Sequence, residues 1–278
     1  MNIYEKLLIT VFFLPFISGL ISPLIGRLNS GLRNIFVTLS SLSILILSLI
    51  FLRPALNSNI VNINIAGFSW PMDFSLSLII DNLSCFMLAI VSLIGFMAVL
   101  YSNSYMKRYQ KTDLYYSLLL FFIGSMNAAI LSGDFINFFI FWEIMTIVSF
   151  FLVVFDRNKK AYEAGIKYFI MSGAGALFML FGIALLYSKT GTLDFNLISE
   201  NIVNMAPGLK NTILLMFLIG LGVKAGMVPM HTWLPEAHPI APSPVSALLS
   251  GVMIKIALYM MIRVFISMFG AAEAWRLI

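Results

Sequence analysis

Long apolar runs follow one another along the chain, and three of them carry a charge in their interior. Glu143 lies within 135–155, Lys224 within 213–228 and Lys255 within 246–269. A charged side chain near the centre of a bilayer costs about 2.5–3.5 kcal/mol to insert, so three of them cost about 8–10 kcal/mol. Side chains that expensive must pair, reach water or carry a function. An acid and two bases enclosed in one apolar domain are the parts needed to move protons or cations.

Composition fixes the class. Of 278 residues, 60% are hydrophobic and 10% charged, and the mean hydropathy is +0.98. A spanning helix needs about 20 apolar residues, and the strands of a membrane barrel would alternate instead. The chain therefore reads as an all-α polytopic membrane protein with about eight transmembrane helices. The spans fall roughly at 7–25, 35–52, 83–101, 114–131, 135–155, 166–187, 212–230 and 245–269. The net charge of +5 reads as an orientation signal; no basic stretch with interleaved aromatics points to nucleic acid. Cys85 is the only cysteine, which excludes an internal disulfide and a cysteine-ligated iron–sulfur cluster. The first run contains Pro15 and lacks a small-residue cleavage site, so it reads as a span rather than a removed signal peptide.

Basic residues alternate between connectors. Arg27 and Arg33, then Lys107, Arg108 and Lys111, then Arg157, Lys159, Lys160 and Lys167 follow the first, third and fifth spans. The alternate connectors hold Arg53, then none, then Lys189 and Lys210. Because basic residues favour the cytoplasmic side, the N-terminus is expected outside a cytoplasmic (inner) membrane. In the long connector 53–82, Val61, Ile63 and Ile65 alternate with Asn62, Asn64 and Ala66. That period suits a short external β-hairpin continuing into 74–80; an irregular loop fits as well. Residues 156–163 read as a charged surface segment ahead of the sixth span, and 188–211 as a polar external connector. The small-residue run Ser172-Gly173-Ala174-Gly175-Ala176 lets a neighbouring backbone approach closely. Ala247, Gly251, Lys255 and Tyr259 recur every four residues and so share a helix face.

Glu143 sits mid-span with Thr146 one turn away, and Lys224 is its natural partner. Burial disfavours the charged form of each group, and an opposite charge restores it. A pair in that balance changes protonation when a third charge approaches; the alternative is a static ion pair that fixes packing. Gly220, Gly222 and Gly226 surround Lys224, and Pro229 follows. Such density favours a broken seventh helix, of the kind that lines cavities and ion sites; a helix ending near Met227 is the alternative. His231 and His238, the only histidines, flank Glu236 in a stretch stiffened by Pro235, Pro239, Pro242 and Pro244. Either could relay protons or bond to backbone. The sequence has no nucleotide-binding glycine loop, nucleophile elbow or metal-ligand cluster, so no cofactor and no metal are expected.

Three stretches are specific: Phe141-Trp142-Glu143-Ile144-Met145-Thr146; Lys224-Ala225-Gly226-Met227-Val228-Pro229-Met230-His231-Thr232-Trp233-Leu234-Pro235-Glu236-Ala237-His238; and Ala241-Pro242-Ser243-Pro244-Val245-Ser246-Ala247-Leu248-Leu249-Ser250-Gly251-Val252-Met253-Ile254-Lys255. Together they resemble the antiporter-like membrane subunits of respiratory complex I, group 4 membrane-bound hydrogenases and multi-subunit cation/proton antiporters. The wording is most similar to the formate hydrogenlyase and hydrogenase-4 membrane subunits. The resemblance implies that Glu143 pairs with Lys224 on a broken helix, that Lys255 continues a hydrated path, and that His231 and His238 serve proton entry or relay. It also implies a subunit without a redox cofactor, working beside other membrane subunits in the lipid bilayer and moving protons or sodium. Enzyme chemistry in this chain itself is not expected.

The resemblance further implies three parts: helices 1–3 with the hairpin connector (1–112), the first of the family's two inverted five-helix repeats (113–270), and a truncated end (271–278), the second repeat being absent. Two other readings are a sodium/proton antiporter subunit and a truncated, non-transporting scaffold subunit.

Overall fold

A computed structural model describes residues 3–52, 61–65, 76–110, 112–202 and 205–270. The expected end at 271–278, the hairpin turn, Arg53 and Lys111 lie outside the described residues. The long helices are α1 (Ile3–Leu28), α2 (Ser30–Ile50), α3 (Asn82–Tyr105), α4 (Asp113–Leu131), α5 (Phe135–Val153) and α6 (Lys159–Thr190). After α6 come a short α7 (Phe195–Asn201), then α8 (Pro207–Ala225), a short α9 (Leu234–Ile240) and α10 (Ser243–Met268). Among the described residues, eight helices are long and apolar enough to cross a membrane.

The bundle is built around α4, whose apolar window is 83% buried. It packs against α1, α3 and α5. The contact with α1 shows how a proline is accommodated inside a span. Pro23 has no N–H for the carbonyl of Gly19, and the Ser117 hydroxyl donates to that carbonyl instead at 2.6 Å. Gly124 of α4 lies against Pro15 of α1, where a Cβ would meet the ring at 3.0 Å.

Strands β1 (Val61–Ile65) and β2 (Leu76–Ile80) pair antiparallel, with Val61 opposite Ile80 and Ile65 opposite Leu76. The amide of Gly133 donates to Ser77 O at 2.8 Å, and Phe195 N to Gly133 O at 3.0 Å. The hairpin, the α4–α5 corner and α7 are thus stitched together at one end of the bundle. Two connector expectations change here. Asn158 accepts from Ala161 N, so helix α6 starts at Lys159 and absorbs most of the charged segment 156–163. The stretch 188–211 is more than a polar loop, because Phe195, Ile198 and Ile202 are buried on and just after α7.

Close approach of α6 and α8 depends on glycine. A Cβ on Gly220 would fall 2.8 Å from Gly175 O, and one on Gly175 would fall 3.1 Å from Gly220 O. Ser172 and Ala176 are buried beside this contact, whereas Gly173 faces open space.

Candidate functional site: a buried lysine at a helix break

The seventh span is interrupted beside its charge. Helix α8 ends at Ala225, Gly226 takes a left-handed φ of 68°, and turns carry the chain to α9 at Leu234. Gly226 N and Met227 N bond back to the final turn, as in a glycine C-cap. A Cβ at Gly226 would meet Leu234 at 2.7 Å, so both the angle and the space call for glycine. The indole N–H of Trp233 donates to Val223 O at 2.7 Å, a second bond to a last-turn carbonyl that Gly226 N also reaches at 3.2 Å.

Lys224 occupies the last turn of α8 and is 1% exposed. Its Nζ donates to Thr146 Oγ1 on α5 at 2.8 Å and to Tyr168 OH on α6 at 2.6 Å. The ammonium also lies 4.7 Å from the centre of the Tyr168 ring, a favourable position for a desolvated cation. Glu143 precedes Thr146 by three residues, hence on the same face of α5. It is half-buried, and its Oε1 has no hydrogen-bond partner. Among the described residues, four ion pairs form within 4.0 Å, and Glu143–Lys224 is not one of them. The two groups are near enough for their charges to interact, but neutral hydroxyls make the direct contacts with the ammonium.

The remaining expected residues separate into two groups. His238 on α9 is half-buried, with Nε2 unpartnered. Its own burial and then the positive charge of Lys255 hold its imidazole below the usual 6.5. His231 lies in the turns after the break with Nδ1 buried and unpartnered, while Glu236 pairs with Lys167 at 2.5 Å. Lys255 itself is not enclosed. It lies on the exposed side of α10 with Ala247, and its ammonium turns back to Ser250 O within the π-helical turn Leu249–Met253. The inward positions of that helix are held by Ile256, Ala257, Tyr259 and Met260, so the four-residue face divides between open Lys255 and covered Tyr259.

Two further charged sites have no counterpart among the sequence expectations. Arg263 is 7% exposed within α10; it donates to Asp81 Oδ2 at 2.8 Å and to the Tyr259 hydroxyl, which in turn donates to Ile130 O. Burial alone would raise the Asp81 carboxyl, but Arg263 and the bonds from Ser84 hold it below its ordinary 3.8. Arg33, counted as an orientation signal, is 4% exposed, bonded to Asp113 and placed 4.5 Å from the Tyr116 ring centre.

Comparison with known proteins agrees with this architecture. Residues 132–278 match the family described as NADH:quinone oxidoreductase/Mrp antiporter, TM. Residues 68–116 match the complex I chain 5 N-terminus. Hydrogenase-4 component B of Escherichia coli is 37% identical over 203 residues, covering 72% of this chain and 30% of that relative. A Na(+)/H(+) antiporter subunit of Alkalihalophilus pseudofirmus is 26% identical, covering 96% of this chain and 54% of the relative. The chain thus spans about half or less of these relatives' length. A chain of the membrane-bound sulfane sulfur reductase, an archaeal respiratory membrane complex, superposes with a TM-score of 0.87 at 25% identity, covering 97% of this chain and 56% of that one. On its fold and on a family match across more than half its residues, this chain belongs to the NADH:quinone oxidoreductase/Mrp antiporter transmembrane family.

Proposed function

We propose that this chain is a proton-translocating membrane subunit of a multi-subunit redox complex of the hydrogenase or complex I kind. The Lys224 site carries the reading. A buried ammonium locked to a carboxylate would be a structural ion pair. Here the ammonium rests on two neutral hydroxyls, and an incompletely bonded carboxylate stands one helical turn away. A proton on Lys224 is then held or released according to the charge state of Glu143, which a neighbouring subunit can bias.

On this reading a proton released from Lys224 passes toward Lys255 on α10. His238, within the field of Lys255, serves entry or relay together with His231. The redox reaction takes place in partner subunits, and its energy arrives as an electrostatic and conformational change. The N-terminus faces outside the cytoplasmic membrane, as the basic connectors suggest. Residues 113–270 act as one transporter repeat.

The test is Lys224→Met and Glu143→Gln in membrane vesicles containing the parent complex. We expect assembly and electron transfer to persist while coupled proton uptake falls about tenfold, the loss of one interaction of roughly 1.4 kcal/mol. Proton uptake equal to wild type in either variant would remove the proposal.

A second reading is cation/proton exchange, favoured by the antiporter relative that matches 96% of this chain. A sodium-dependent pH gradient formed with no redox donor present would select it.

A further inference from the structure

We propose that Tyr168 is a positioning residue that holds the Lys224 ammonium away from Glu143. The inference rests on the reading of Glu143 and Lys224 given above, which it extends to a third helix. Tyr168 is fully buried on α6. Its ring centre lies 4.9 Å from that of Trp233, and the Trp233 indole is bonded to Val223 O, the residue preceding Lys224. The phenol is therefore fixed relative to the broken end of α8 and does not float in the bundle.

Hydrogen-bond direction shows what the phenol does. Ser149 Oγ donates to Thr146 O at 3.0 Å, so its lone pairs are free to accept the Tyr168 O–H across 2.6 Å, and Met253 Sδ at 3.7 Å is a second acceptor for the same proton. The hydroxyl of Thr146 donates to Trp142 O at 2.9 Å. Both hydroxyls thus have their protons committed, and both turn lone pairs toward Lys224. An ammonium carries three N–H donors; the two hydroxyls take two of them. Glu143, one turn along α5, holds a buried oxygen with no donor. The place of the ammonium is a contest between a hydroxyl cradle and a carboxylate. A bond to an ionised acceptor is about twice as strong as one to a neutral acceptor, so the cradle needs both hydroxyls to compete. Without the phenol oxygen the ammonium moves onto Glu143, and the pair becomes the static one that cannot release its proton readily.

The test is Tyr168→Phe in the membrane complex purified with its partner subunits, compared with Glu143→Gln and with the double variant. Two readouts are taken: protons moved per redox turnover, and the infrared carboxyl band of Glu143, identified by its loss in Glu143→Gln. We expect Tyr168→Phe to assemble, to lose about tenfold in protons per turnover, as removal of a bond to a charged group implies, and to shift the band. In the double variant we expect translocation no lower than in Glu143→Gln alone, because contacting residues are not additive. An unshifted band, or losses that multiply in the double variant, would overturn the proposal. If Tyr168→Phe fails to assemble, Ser149→Ala replaces it: it frees the phenol proton to turn, and a smaller band shift supports the proposal while none overturns it. A Glu143→Gln variant that translocates normally would remove the proposed function, whereas a band shift in Tyr168→Phe would still establish the positioning role.

Discussion

The ammonium of Lys224 lies 2.8 Å from the hydroxyl of Thr146, one helical turn from Glu143 on the same helix. That contact joins the broken seventh span to the fifth without an ion pair. Thr146→Val keeps the shape and removes the acceptor. A lost hydrogen bond to a buried charge costs about 1.5–3 kcal/mol, so thermal unfolding of the detergent-solubilised complex should come at a lower temperature. Thr146→Ser should behave as wild type. Equal melting of the valine and wild-type proteins would show that Lys224 does not depend on this hydroxyl.

The α6–α8 contact gives a sharper contrast between two glycines of similar sequence setting. A Cβ at Gly220 would meet Met179 Cβ at 2.7 Å and Gly175 O at 2.8 Å, while one at Gly173 would meet nothing within 4 Å. Gly220→Val should destabilise by about 1–3 kcal/mol or more through overpacking and reduce the amount of assembled complex. Gly173→Val should stay within about 0.5 kcal/mol of wild type. Blue native electrophoresis and melting curves measure both, and similar behaviour of the two variants would refute the assigned contact.

These two sites also show what a sequence discloses about such a chain. The spans are legible because about 20 consecutive apolar residues leave no other economical fold in a bilayer. Their ends are less so: α6 begins seven residues before the expected 166, because the Asn158 cap makes charged residues 159–163 part of the helix. Glu143 and Lys224 stand out by the cost of placing charge in an apolar run. Tyr168 does not, since a tyrosine beside Lys167 near a span start reads as an interfacial anchor; only the packing of three helices turns its hydroxyl onto Lys224. Arg263 carries the same signal as Lys255, being a cation in the same run. Its partner Asp81 is 182 residues away, a distance that no local pattern bridges.

Breaking the Arg263–Asp81 pair should cost more than replacing both members. Removing one partner of a buried pair leaves an uncompensated charge, worth about 3–5 kcal/mol when fully buried. Asp81 is partly exposed at 26% of its side chain, so the low end applies to Arg263→Met. The double variant Arg263→Met/Asp81→Asn should recover most of that loss. The pH dependence has a definite sign. The folded Asp81 lies below its ordinary 3.8, so its contribution is complete above that value and fades as pH falls through the lower folded one. Wild type and the double variant should therefore keep a constant difference in melting temperature between about pH 5 and 8 and converge only in acid. A difference that changes across the neutral range would mean that another group titrates here.

The electrostatic link between His238 and Lys255 can be read directly, because the chain has only two histidines. Burial and the Lys255 charge both hold His238 below 6.5. Between that folded value and 6.5 the unfolded chain binds the extra proton, so His238 adds stability above pH 6.5 that is lost as the medium is acidified. Lys255→Met removes the second cause and leaves the first, so the imidazole should hold its proton to higher pH than in wild type. Diethylpyrocarbonate acylates only the neutral ring, so its rate at His238, followed on the isolated peptide by mass spectrometry, reports the midpoint. An unchanged His238 midpoint in Lys255→Met would mean that the two side chains do not share a field, and the proposed handover from α9 to α10 would lose its support.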